Sequence, residues 1–124
     1  MRYLVFVAGL LFAGPAVAAP LDGRWVWDKA ICASRPGSGD IVPSVFTGNT
    51  IRHYESRCEI TKMTPIGTQE SAREVEMKCS GEGEEFERKS IFALNRSVDT
   101  GKPRQMIEID LDDGIVIVRQ NCDG

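Results

Sequence analysis

Residues 58–79 read CEITKMTPIGTQESAREVEMKC, and the fold is decided there. Folded back with Thr68 and Gln69 at the tip, the stretch sets Cys58 opposite Cys79 and Ile60 opposite Met77 on one side. Glu59, Glu74, Glu76 and Lys78 then point to the other side, because successive side chains of a strand alternate between faces. The result is a β-hairpin with one apolar face, one charged face and a cysteine at each outer end. Such an element belongs in a small disulfide-stapled β-protein.

Upstream, Leu21–Asp28 (LDGRWVWD) reads as a first strand in which Trp25 and Trp27 alternate with Arg24, Val26 and Asp28. Asp28 is placed to cap a short helix, Lys29 to Ala33, that carries Cys32. The run RPGSGDIVPS, residues 35–44, holds two prolines and two glycines and is a loop. Two short strands meeting at Gly48-Asn49 lead into the hairpin.

Downstream, a reversal at residues 79–84 feeds a strand from Glu85 to Asn95 with Phe86, Phe92 and Leu94 on one face and Ile91 on the other. Ile107, Ile109 and Leu111 alternate cleanly with Glu108 and Asp110, and Asp112-Asp113-Gly114 turns the chain into the apolar run Ile115–Arg119. That continuous run predicts burial on both faces. The sum is an all-β chain: a small antiparallel up-and-down meander of seven or eight strands with one short helix. Closing it, wholly or nearly, into a barrel removes the exposed edges, and a β-sandwich of the same strands is the alternative. The predicted core is Trp25, Phe46, Ile60, Val75, Met77, Phe92, Leu94, Ile107, Ile109, Leu111, Val116 and Val118.

The N-terminus carries an export signal. Arg2 precedes the apolar run LVFVAGLLFAG, and PAVAA then offers small residues for cleavage after Ala18 or Ala19. Residues 1–19 are expected to be removed, leaving residues 20–124 as one domain of 105 residues. Its formal charge falls from −3 to −4 with the loss of Arg2, so no basic surface for nucleic acid is expected. No later run is long and apolar enough to span a bilayer, and a periplasmic or secreted location is expected. Cys32, Cys58, Cys79 and Cys122 all lie in the mature part, none in a C-x-x-C spacing, which predicts two disulfides. Four cysteines allow three connectivities. The hairpin register favours Cys58 with Cys79, and Cys32 with Cys122 follows by elimination.

Chemistry is sparse. His53 is the only histidine and sits in a strand, with no serine marked out as its partner, so no catalytic group is assigned and a non-enzyme is expected. Asp110, Asp112 and Asp113 with Gly114 look like the start of a calcium loop but lack its distal glutamate, so a hairpin turn accounts for them and no metal or other cofactor is assigned. Glu82, Glu84, Glu85 and Glu87 form the densest acidic run, where a basic protein or peptide partner would dock.

Gly23-Arg24-Trp25 resembles the G-x-W of lipocalin-type barrels, in which a first-strand tryptophan closes one barrel end beneath an arginine of the last strand. The resemblance gives that part to Arg119. In size, export and strand pattern the chain also resembles the small exported, cysteine-stapled β-barrel inhibitors of c-type lysozyme in Gram-negative bacteria, although their Ser-Gly-x-x-Tyr loop is not found in it. The YES-x-C-x-I run, Tyr54 to Ile60, is similar to that of small periplasmic proteins. Export with two staples, the lack of a catalytic constellation and the acidic runs Glu82–Glu87 and Asp110–Asp113 lead to the expectation of a periplasmic non-enzymatic binding protein that meets a basic partner through its acidic surface. The lipocalin resemblance implies the alternative, a calycin-like carrier of a small apolar ligand held behind Trp25 and Trp27.

Overall fold

A computed structural model describes residues 20–35, 37–68 and 71–123. The expected export segment, residues 1–19, and Gln69 at the expected hairpin tip lie outside the described residues. Eight antiparallel strands follow one another around a closed barrel: β1 (Gly23–Val26), β2 (Ser44–Thr47), β3 (Thr50–Arg52), β4 (Ser56–Ile66), β5 (Ala72–Gly81), β6 (Glu84–Arg96), β7 (Pro103–Asp110) and β8 (Val116–Asn121). β8 returns to pair with β1, which satisfies both edges. A 3-10 helix, Lys29–Ala33, follows β1 and starts on the Asp28 side chain, which accepts from the Ala30 N–H at 2.9 Å.

The hairpin of β4 and β5 sets Cys58 opposite Cys79 and Ile60 opposite Met77. A bulge at Thr61 shifts the pairing, so that Lys62 faces Glu76, Met63 faces Val75 and Ile66 faces Ala72. The Thr61 hydroxyl donates to the Glu76 carbonyl at 3.2 Å across the irregularity. The extra residue has a packing result: in the unbulged register Val75 would meet Lys62, and with the bulge it meets Met63, itself packed on the core. Disulfides join Cys58 to Cys79 and Cys32 to Cys122.

Trp25, Phe46, Ile51, Cys58, Ile60, Val75, Met77, Cys79, Phe92, Leu94 and Met106 fill the barrel, and Leu21, ahead of β1, is buried with them. The indole of Trp25 donates to the Leu21 carbonyl at 3.0 Å, which satisfies its one polar atom. Phe46 meets Phe92 edge to face with ring centroids 5.7 Å apart. Seven of the twelve expected core residues are buried here: Trp25, Phe46, Ile60, Val75, Met77, Phe92 and Leu94.

The other five are not. Val116, Val118 and Leu111 are 57%, 44% and 44% exposed, and Ile107 and Ile109 are only partly covered. On β7 the inward residues are Met106, Glu108 and Asp110; on β8 they are Arg119 and Asn121. The run Ile115–Arg119 is therefore not buried on both faces. Its outward residues join those of β6 and β7 in two apolar rows on the outer wall: Ile91, Ile109 and Val116, then Ala93, Ile107 and Val118. The physical reason lies in the turn. The Asp110 carboxylate accepts from the Asp112 and Asp113 N–H groups at 2.9 and 3.2 Å and from Arg88 Nε at 3.2 Å. That inward anchor sets the face of every second residue before it. Trp27 lies beyond the end of β1 and is 64% exposed.

Candidate functional site

In an up-and-down barrel the odd-to-even connections share one end. Here these are the long β1–β2 connection and the β3–β4, β5–β6 and β7–β8 turns. Inside that end the interior changes from apolar to polar. Glu108 is buried and takes two hydrogen bonds, from Arg119 Nη1 to Oε1 at 2.7 Å and from the Ser90 hydroxyl to Oε2 at 2.8 Å. Arg88 and Asp110 form a second ion pair beside Ser90, whose backbone pairs with Asp110. Each carboxylate of this cluster is matched by a guanidinium, as burial of charge requires.

His53, just past β3, sits above the cluster. Its Nδ1 lies 2.8 Å from the Ser44 hydroxyl, its ring meets Phe46 edge-on, and its backbone N–H is held by the Ser56 carbonyl at 2.8 Å. Burial pushes the imidazole down from 6.5 to about 4; the Arg119 guanidinium acts in the same direction, Glu108 pulls the other way less strongly, and Arg88 adds the smallest push down. At neutral pH the ring is uncharged. Ser44 and His53 are thus a neutral hydrogen-bonding pair at the barrel mouth.

Over this pair opens a cavity of about 270 Å³. Its polar lining is Ser44, His53 and Arg119; its apolar lining comes from Trp25 and Ile117 in the barrel and from Trp27, Ile31, Ile41, Val42 and Tyr54 in the surrounding segments. The local sequence explains the shape. The segment ahead of β2 carries Ile41 and Val42 to the opening, and the capped 3-10 helix brings Ile31 over the rim. Trp27, Ile41 and Tyr54 remain 64%, 47% and 47% exposed, which is costly for three large side chains around one opening.

The Ser44–His53 contact has the components of a nucleophile and base but not their arrangement. The serine meets Nδ1, no carboxylate is hydrogen-bonded to the imidazole among the described residues, and a ring titrating near 4 is a weak base at neutral pH. The small barrel is compatible with a non-enzyme. Among the described residues no group of three or more His, Cys, Asp or Glu is placed to hold a metal ion. Among the same residues no helix is long and apolar enough to cross a membrane.

Comparison of the chain with protein-family models, curated proteins and solved structures gives no match.

Glu82, Glu84, Glu85 and Glu87 are exposed around the β5–β6 turn, but alternation splits them between faces. Glu85 and Glu87 point outward opposite Ser80 and Lys78, and Lys89 beyond them pairs with Glu74 at 2.9 Å. Cations therefore interrupt the run. Beside it, Lys78, Cys79, Ser80, Glu85, Phe86 and Glu87 line an open concavity of about 590 Å³. Sequence reasoning isolated His53 and Arg119 but missed Ser44, Ser90 and Glu108. The available signal was a pair of adjoining strands with acids at alternate positions of one and an arginine in the other.

Proposed function

We propose that this is an exported, non-enzymatic binding protein that holds a small, largely apolar ligand at the barrel mouth. The observation that carries the reading is the apolar cavity ringed by exposed Trp27, Ile41 and Tyr54 over a few convergent polar groups. A packed barrel interior leaves the mouth as the place for a ligand, and the two disulfides suit a protein working in an oxidising compartment.

The test is binding of toluene, a neutral apolar molecule small enough for this cavity, to the oxidised protein, followed by calorimetry and tryptophan fluorescence. Saturable binding is expected, and Ile117→Trp, which fills the cavity, is expected to abolish it. Absence of saturable binding, or binding indifferent to the filled cavity, refutes the carrier reading.

A second reading is favoured by the concavity beside Glu85 and Glu87, where Phe86 is 38% exposed and Arg88 lies 5.5 Å from its ring centroid. There a basic protein would dock an apolar side chain with acidic groups around it. Its affinity for a basic protein such as hen lysozyme must fall with salt and with Glu82, Glu84, Glu85 and Glu87 changed to Gln. Affinity indifferent to both removes this reading.

A further inference from the structure

We infer that the ligand at the barrel mouth is uncharged, an apolar chain or ring of roughly nine non-hydrogen atoms ending in a hydroxyl or carbonyl group that hydrogen-bonds to His53. The inference rests on the carrier reading and goes beyond it by fixing charge, size and polar group.

Size follows from the volume. A cavity of about 270 Å³ holds roughly nine heavy atoms at the ~30 Å³ that one water occupies in the liquid.

Charge follows from how the cationic and anionic groups around the mouth are already used. Among the described residues Arg119 is the one cation that lines the cavity, and its guanidinium is held 2.7 Å from the buried Glu108 carboxylate. Glu108 is fixed in turn by Ser90, so the pair presents no net charge. Arg88 behind it is matched by Asp110 at 3.2 Å. A ligand carboxylate would be desolvated beside Glu108 with no unmatched cation to receive it, and a ligand ammonium would meet Arg119. Neither charge has a counterpart, while the apolar walls favour hydrocarbon.

The polar group follows from His53. Its Nδ1 is committed to the Ser44 hydroxyl, and Nε2 has no hydrogen-bond partner among the described residues. The hydroxyl can donate to or accept from Nδ1, so the ring can carry its proton on either nitrogen. With the proton on Nε2 the site donates to a carbonyl oxygen; with it on Nδ1 the site accepts from a hydroxyl. Both are neutral partners. The depressed imidazole keeps the ring from offering a positive charge to an anion.

Four probes of one chain length separate the possibilities: 1-octanol, octanal, octanoate and octylammonium, each titrated at pH 7.5 into the oxidised wild-type protein by calorimetry and by tryptophan fluorescence. The alcohol and the aldehyde are expected to bind at least tenfold more tightly than either ion. Octanoate or octylammonium binding as tightly as the alcohol overturns the charge inference and leaves the carrier reading standing. Failure of all four with toluene still bound overturns this inference alone; failure of all four and of toluene overturns both. In the variants, His53→Phe is expected to reduce octanol affinity about tenfold, and His53→Gln, which keeps a donor and an acceptor, to restore most of it. Equal octanol affinity in wild type and His53→Phe refutes the assignment to His53. The wild-type series stands even where a variant does not fold.

Discussion

Replacing Arg119 with Met tests the inward orientation of β7 and β8 most directly. In the native barrel the Arg119 and Glu108 side chains are 9% and 2% exposed, with 2.7 Å between Nη1 and Oε1. Removing the guanidinium leaves a buried carboxylate whose one remaining hydrogen-bond partner among the described residues is the Ser90 hydroxyl. Two routes give the cost. Coulomb attraction between unit charges about 4 Å apart at an effective dielectric near 20 is ~4 kcal/mol. Loss of one partner from a buried pair costs ~3–5 kcal/mol. The two agree, and either is about a fifth or more of the ~5–15 kcal/mol that holds an ordinary domain folded. Urea denaturation at pH 7 with the disulfides intact, followed by tryptophan fluorescence, is the assay. Arg119→Met and Glu108→Leu should each lower the unfolding free energy by ~3 kcal/mol or more, since each strands the other charge. The combination Glu108→Leu, Arg119→Met, Ser90→Ala removes every group that needed a partner and should lie within ~1 kcal/mol of wild type. Small and simply additive effects, each under ~1 kcal/mol, would show that the pair is solvated and that Ile107 and Ile109 face the interior instead.

Three further outcomes follow from the same geometry. Met106→Ala should cost ~2–5 kcal/mol and Ile109→Ala ~1 kcal/mol or less, because Met106 is fully buried and Ile109 lies on the outer wall; the reverse order in a denaturation series would invert the strand. His53 has its folded pKa lowered from 6.5 to about 4, so its stabilising effect is complete above pH 6.5 and is lost as pH falls towards 4. Unfolding free energy measured across that window should drop by up to roughly 3 kcal/mol, and His53→Gln should flatten that part of the profile; an unchanged profile in the variant refutes the burial of a neutral ring. Cys32→Ser with Cys122→Ser opens a loop of separation 90 and should cost ~4–5 kcal/mol in the chain-entropy account, against ~3 kcal/mol for the 21-residue loop of Cys58–Cys79, as thermal unfolding of each variant would measure.

The meander, its helix and its central hairpin could be read from the sequence because each has a local cause: Asp28 ahead of the short helix, Gly48-Asn49 at a reversal, cysteines at facing positions of β4 and β5. The faces of β7 and β8 could not. Alternation gives a period of two but not which half is inside, and the usual rule that isoleucine goes in was overridden by Asp110 turning inward to hold its own turn and Arg88. The bulge at Thr61 has no marker in composition either; it follows from matching Met63, not Lys62, to Val75. For the site, His53 was conspicuous as the sole histidine, but Ser44 lay at the end of a loop with nothing to distinguish it from other serines. Its partner is set by β2–β3 pairing and the turn after β3, a tertiary fact.

The seam between β1 and β8 has two paired positions, Trp25 with Asn121 and Val26 with Gln120, where β4 and β5 share ten. Beside it run the Cys32–Cys122 bond, Lys29 Nζ to the Asn121 carbonyl at 2.7 Å and the Cys122 N–H to the Arg24 carbonyl at 2.8 Å. Mechanically, tension applied between the first and last strands would find this short zipper first. With the disulfide formed, the load passes into a covalent bond and the barrel resists as a hoop. With it reduced, the same pull has only the two pairs of the seam and their flanking hydrogen bonds to break, and oxidation state separates a stiff molecule from one that opens between β1 and β8.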